Sequence, residues 1–361
     1  MELTASAPGK LVLLGEYAVL EGAPALVLAV NRRANVRIAV RTDGICEVNA
    51  PELDVAGARM SIDADGGLHW QCADRDADKL SLVDHIWQGL LHEGLAPRSG
   101  DGFNLHLDTS CFFHANGTGC VKLGLGSSAA LTVALASALA TFAGQGEATA
   151  ERTRWLRRLF RMHGTWQGGR GSGVDVAAGV AGGLIAYRLT GQDPQPSFVP
   201  LGWPMAGVHC LFIWSGQAVS TANYLLHLAE WRQSHRAEYA LHMQELGALA
   251  EAAAEALQQE RAGAFVELAA VYATALRNFG VACGLEIFSP AQQRFADIAA
   301  DAGVSYKPCG AGGDFGVVFS EDADRLVSIR QHIIDADMHD MPLKSDTQGF
   351  TCAIHLTSDC S

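Results

Sequence analysis

The chain has 361 residues, 49% of them hydrophobic, and a formal net charge of −13 at pH 7. That length and apolar content exclude a disordered chain and predict a sizeable core with room for two domains. The acidic balance excludes the broad basic face that nucleic-acid binding requires, so an anionic substrate must be held by a few local cations.

Nine cysteines, Cys46, Cys72, Cys111, Cys120, Cys210, Cys283, Cys309, Cys352 and Cys360, are scattered, odd in number and without a C-x-x-C pair or zinc spacing. They predict mostly buried thiols in a reducing compartment. An apolar strand begins within about ten residues of the start, with no basic segment and apolar run ahead of it, so the expected localisation is cytoplasmic.

Residues 3–42 alternate β-rich runs, LVLL, ALVLAV and VRIAV, around turn chemistry at Glu21-Gly22-Ala23-Pro24, and FNLHLDT follows at 103–109. The early chain is therefore predicted to be mainly sheet. The first run ends in Gly15-Glu16-Tyr17, which places polar side chains at a strand end where fixed backbone can hold a small ligand.

Residues 123–146 carry no charge and are long enough to suggest a membrane span, but they open on Gly and Ser and continue mostly as Ala. A buried helix behind a glycine loop is the reading taken, and no membrane association is expected. Helices are predicted over 128–142 and 150–163, then a strand over 182–189. The Pro- and Gly-rich stretch 191–204, GQDPQPSFVPLGWP, marks a domain junction.

Beyond it come a strand at 208–214, a long alanine-rich helical region around 245–260, and helices near 262–279 and 290–302. A glycine stretch at 310–316, the strand GVVF, a helix near 323–336 and a final strand CAIHLT complete the chain. The order gives two α+β halves, residues 1–195 and 196–361.

Three stretches carry chemistry beyond the first corner. In VKLGLGSSAALTVALASAL, residues 121–139, Gly124 and Gly126 let the backbone turn tightly, and Ser127 and Ser128 stand at a helix N-terminus. Free N–H groups and the helix dipole there favour phosphate, and the hydroxyls can hold Mg²⁺ bound to it. A plain glycine turn with a serine cap is the alternative. The spacing is not G-x-x-x-x-G-K-[ST], so a P-loop is excluded, and no G-x-G-x-x-G follows the first strand to support a dinucleotide fold.

In GGRGSGVDVAAGVAGG, residues 168–183, Asp175 is the one acid. It caps a helix beginning at Val176, or it orients or deprotonates an acceptor hydroxyl. KPCGAGGDFGVVF, residues 307–319, is a tight turn that permits close backbone approach.

Together these stretches resemble the GHMP kinase superfamily from residue 6 to about residue 319. APGKLVLLGEYAVL is similar to its first motif, GLGSSAA to its phosphate-binding second and GAGGDFG to its third. Gly15-Glu16-Tyr17, Lys122 ahead of GLGSSAA, Gln167-Gly168 with GSGVDVAAGVAGG, and WSGQAVST at 214–221 further resemble the phosphomevalonate kinase branch. One departure stands out: the branch's third motif reads GAGGGD-x-G, one glycine longer than residues 310–316 here.

The resemblance implies a ribosomal protein S5 domain 2-like N-terminal domain and a ferredoxin-like C-terminal domain, with the active site in the cleft between them. It implies ATP- and Mg²⁺-dependent phosphorylation of a small anionic acceptor, 5-phosphomevalonate, with mevalonate or another small alcohol as the alternative, by a monomer or homodimer. A non-catalytic relative is disfavoured, because Lys10 and Asp175 are both present.

On the same resemblance Lys122, Gly124, Leu125, Gly126, Ser127, Ser128 and Ala129 hold the ATP phosphates, and Ser127 or Ser128 holds Mg²⁺. Lys10 is the cation near the transferred phosphate. Asp175 is a true base for an alcohol. For a phosphomonoester, whose second pKa of roughly 6 leaves it largely dianionic, it orients Lys10 or a metal ion. Acceptor contacts are assigned to Tyr17, Arg170, Ser172, Gly173, Ser220, Thr221, Gly310, Ala311 and Gly312. Arg32, Arg33 and Lys307 are further cations, each read first as a surface charge.

Overall fold

A computed structural model describes residues 1–98, 100, 102–115, 119–169, 171–190, 195–217 and 221–355, the side chains of 221 and 222 excepted. The first apolar run lies in a long strand, Glu2–Leu14, whose burial alternates along its first half before all of residues 11–14 are buried. That change marks where the sheet becomes covered on both faces. The runs ALVLAV and VRIAV are not two strands but one, Ala25–Arg41. Its register against Glu2–Leu14 jumps between Pro8 opposite Arg33 and Gly9 opposite Val30, so Asn31 and Arg32 form a bulge rather than a break.

Among the described residues the larger sheet has nine strands, with Gly102–Asp108 and Leu184–Thr190 both paired to Ala25–Arg41. Thr351–His355 closes the outer side of Glu2–Leu14. The region expected to be mainly sheet also holds two helices, Asp74–Lys79 and Ser81–His92, the second burying Leu82, Val83, Ile86, Trp87 and Leu90 on one stripe.

The uncharged segment forms the helix Ser127–Phe142, buried along nearly its whole length against the strands Glu2–Leu14 and Ala25–Arg41. Its alanines let it lie close to the sheet. No helix among the described residues is long and apolar enough to cross a membrane.

The second sheet is antiparallel, in the order Ser305–Pro308, Phe315–Ser320, His209–Trp214, His339–Asp340. Numbered along the chain this is 2-3-1-4, with helices between the first and second strands and between the third and fourth. That is the split β-α-β arrangement of ferredoxin-like domains. Its own core joins Leu211, Ile213, Phe295, Tyr306, Val318 and Ile329. The helices Arg236–Gln258, Ala262–Cys283 and Pro290–Asp301 follow their sequence patterns, whereas the last is shorter than expected, Ala323–Arg330.

The sheets divide the chain differently from the expected boundary at 195/196. Gln195–Leu201 is the edge strand of the larger sheet, paired with Leu184–Thr190, and Thr351–His355 returns to that sheet from the far end of the chain. The thiols also differ from expectation. Of the eight described cysteines Cys46, Cys283 and Cys309 are buried, while Cys111 and Cys120, beside a short surface hairpin, are exposed.

Candidate active site

The strand Glu2–Leu14 builds the site by gripping the glycine loop. Lys10 donates its backbone N–H to Leu125 O at 2.9 Å, and its Nζ stands 3.4 Å from Gly124 O. A Cβ at 124 would lie 1.7 Å from Asp314 Oδ2, so any side chain there would have to displace that carboxylate. Gly126 adopts φ +76°, a left-handed conformation that glycine enters without strain, and it turns the chain into the helix Ser127–Phe142. A Cβ at Gly126 would touch Asp175 Cβ and Lys10 Cγ, each at 3.4 Å. Lys10 and Asp175 therefore flank one helix N-terminus.

The helix carrying Asp175 begins at Val174, with Gly173 at its cap position in a left-handed conformation, so Asp175 is not the cap. It lies in the first turn, where Oδ1 accepts the Val176 N–H at 2.9 Å. Beside it the Tyr187 hydroxyl donates to Ser172 O at 2.6 Å, fixing the chain just before the helix.

Asp314 was not singled out from the sequence, although a lone acid in a glycine run is the same signal that marks Asp175. Burial pushes its carboxyl up to about 6 against the pull of the Lys10 ammonium. Phe315 N–H donates to its Oδ1 at 2.7 Å. Asp314 faces Gly124, so its carboxylate abuts the glycine loop.

The corner after the first strand is tied to the third glycine stretch. Lys307 and Glu16, both almost fully buried, pair at 2.5 Å, and Gly310 N–H reaches the same Glu16 oxygen at 3.3 Å. Tyr17, in a positive-φ conformation at +62°, donates its hydroxyl to Ala311 O at 2.7 Å. Tyr272 completes the knot, accepting from Gly15 N–H and donating to Glu16 O. Lys307 is thus neither a surface charge nor free for a ligand. Arg33 is likewise committed, to Asp346, Ser6 and Gly349 O.

These elements enclose a cleft of about 630 Å³. Lys10, Tyr17, Lys122, Gly124, Gly126, Ser127, Ser128, Ser172, Asp175, Gly310 and Ala311 line it, with Asp314 and Trp166. Leu125, Ala129, Gly173 and Gly312 are buried behind the lining, where they shape the loops. Arg32 and Arg33 are not in the lining. Arg170 and Ser220 lie outside the described residues, as does the side chain of Thr221. No group of three or more His, Cys, Asp or Glu among the described residues is placed to hold a metal ion.

A family model described as GHMP kinases N terminal domain matches residues 86–183. The chain is 30% identical to a phosphomevalonate kinase from Streptomyces sp. strain CL190, over 95% of this chain and 97% of that one. It is 29% identical to a mevalonate kinase from Thermococcus gammatolerans over 54% of each chain. Among solved structures, Streptococcus pneumoniae phosphomevalonate kinase in complex with phosphomevalonate and AMPPNP superposes with a TM-score of 0.74 at 17% identity, covering 95% of this chain and 99% of that one. The motifs, the two-sheet architecture and the full-length similarity converge: the chain belongs to the GHMP kinase family.

Proposed function

We propose that the protein transfers a phosphoryl group from ATP to 5-phosphomevalonate, giving 5-diphosphomevalonate. The observation that carries this reading is the meeting of Lys10, the 124–128 glycine loop and Asp175 at one helix N-terminus, in a chain with a full-length phosphomevalonate kinase relative. The loop fits a nucleotide's phosphates: Gly124 and Gly126 present bare backbone to the cleft, and the helix N-terminus supplies free N–H groups.

ATP with a divalent cation such as Mg²⁺ supplies the transferable group and spreads its charge. The backbone of 124–129 and Lys122 hold the phosphates, and the hydroxyls of Ser127 and Ser128 hold the cation. Lys10, tethered to the loop through Leu125 O, places its ammonium where charge builds on the migrating group. With an acceptor already dianionic, Asp175 orients Lys10 rather than taking a proton.

The acceptor rests on Ser172, Gly310 and Ala311, with Gly173 and Gly312 shaping those loops from behind and Arg170, Ser220 and Thr221 completing its set. Tyr17, whose hydroxyl already serves Ala311 O, acts on the acceptor through that loop.

Coupled ADP release with Mg-ATP tests the reading, comparing 5-phosphomevalonate, mevalonate and other small alcohols on the wild type and Lys10→Met. Turnover is expected with 5-phosphomevalonate, and Lys10→Met is expected to lose on the order of 10²–10³ in kcat while still binding ATP. Preference for mevalonate would reassign the acceptor and make Asp175 the base. Absence of ADP release with every acceptor, despite ATP binding, would overturn the kinase reading.

A further inference from the structure

His163 has no role in the mechanism above, yet it faces the centre of it. It sits in the last turn of the helix Arg152–Trp166, 2% exposed, among the buried residues Trp155, Leu156, Leu159 and Met162. Its Nδ1 is 3.0 Å from Thr132 Oγ1, and that hydroxyl is 2.9 Å from Ser128 O. A carbonyl oxygen can only accept, and the hydroxyl has one proton to give. The Thr132 proton therefore goes to Ser128 O, and Nδ1 carries a hydrogen that it donates to Thr132.

Nε2 is then the nitrogen without a hydrogen in the neutral ring. It is buried, has no hydrogen-bond partner and lies 4.0 Å from Asp175 Oδ2. The other Asp175 oxygen is already engaged by Val176 N–H. The Trp166 ring, 5.6 Å from the imidazole, stands beside it in the cleft wall. A buried imidazole nitrogen that faces a carboxylate oxygen at the cleft wall is unfavourably placed unless a proton lies between the two. Burial, aided by His85, lowers the affinity of this ring for a second proton, and the charge of Asp175 is the one influence that draws a proton to it.

We propose that His163 is the positioning residue for Asp175: one proton held between Nε2 and Oδ2 draws the two groups together and, with Val176 N–H on Oδ1, fixes the carboxylate beside Lys10. The proposal rests on the kinase reading for its catalytic consequence. A purely structural role would instead need only the bond from Nδ1 to Thr132.

Two substitutions separate these roles. Asn places its amide where Nδ1 stands and can keep Thr132. Gln reaches the Nε2 position and donates there without titrating. His163→Asn is expected to lose on the order of 10²-fold in kcat, as for a misplaced catalytic group, with KM for ATP little changed. His163→Gln is expected to keep most of the turnover. Combined with Asp175→Asn, His163→Asn is expected to add no further loss, because both act through one carboxylate.

The reverse ranking of Asn and Gln, wild-type turnover in both, or multiplying losses in the double variant would each overturn the proposal. A ¹⁵N spectrum of the full-length wild type and of Asp175→Asn needs neither turnover nor a variant at 163. It is expected to show a hydrogen on Nδ1 and an Nε2 resonance that moves with the Asp175 substitution. An unmoved Nε2 sinks the inference whatever the acceptor. A moved Nε2 without turnover on any acceptor sinks only the kinase reading.

Discussion

Asp314 holds a carboxylate where burial opposes its charge, at the point where the third glycine stretch meets the glycine loop. An acid whose pKa rises on folding binds its proton more tightly in the native chain than in the unfolded one. Stability is therefore greatest below the ordinary value of 3.8 and declines as pH climbs through about 6. A rise of this size corresponds to about 3 kcal/mol. Asp314→Asn keeps an oxygen for Phe315 N–H and removes the charge. At about pH 7.5 it is expected to melt several degrees above wild type, with the gap closing toward about pH 4, and to turn over more slowly. A pH-independent gap in melting temperature would show that the carboxyl ionises as readily in the native chain as in the unfolded one.

Residues of this kind divide into those the sequence displays and those it hides. Lys10, the 124–128 loop and Asp175 stand in segments whose glycines and lone charges are legible by eye. Asp314, the lone acid of the 310–316 glycine stretch, carries the same signal. His163 carries none, since a histidine on an apolar helical stripe looks like any core position until Thr132 and Asp175 are brought beside it from elsewhere in the chain.

The helix Ser127–Phe142 shows at the next scale why a glycine loop can be held so firmly. Its alanines leave no room between it and the sheet, and Ala134 is fully buried. Ala134→Leu is expected to cost about 1–3 kcal/mol through overpacking, read as a lowered unfolding midpoint in urea. An unchanged midpoint would mean that the layer is looser than its burial indicates.

Strong helical periodicity made most of the later elements legible, and α+β halves follow from their order. The misses have local causes. The polar residues at 31–32 resemble a turn, but neighbours on both sides of Ala25–Arg41 carry the strand through as a bulge. Pro196 and Pro200 resemble a linker, yet an edge strand tolerates proline because its outer N–H groups need no partner. The helices Asp74–Lys79 and Ser81–His92 interrupt a region read through its β-rich runs.

Across the whole molecule the two sheets are coupled by the buried pair of Glu16 and Lys307. Replacing one partner strands the other charge, so Lys307→Met is expected to cost about 3–5 kcal/mol in equilibrium unfolding. Adding Glu16→Gln removes the stranded charge and is expected to recover most of that loss. A double variant no more stable than Lys307→Met would show that the pair is not what couples the halves. Because Glu16 also takes the Gly310 N–H, the single variant is further expected to loosen the acceptor side of the cleft.

The strand Thr351–His355 lies against residues 2–6, pairing Glu2 with His355 and Ser6 with Thr351. During synthesis the first of these partners leaves the ribosome almost a whole chain length before the second. For that interval the outer amides and carbonyls at the start of the molecule form an open edge, able to pair with the same edge of a neighbouring nascent chain on a polysome. The strand Thr351–His355 is thus a late seal on that edge.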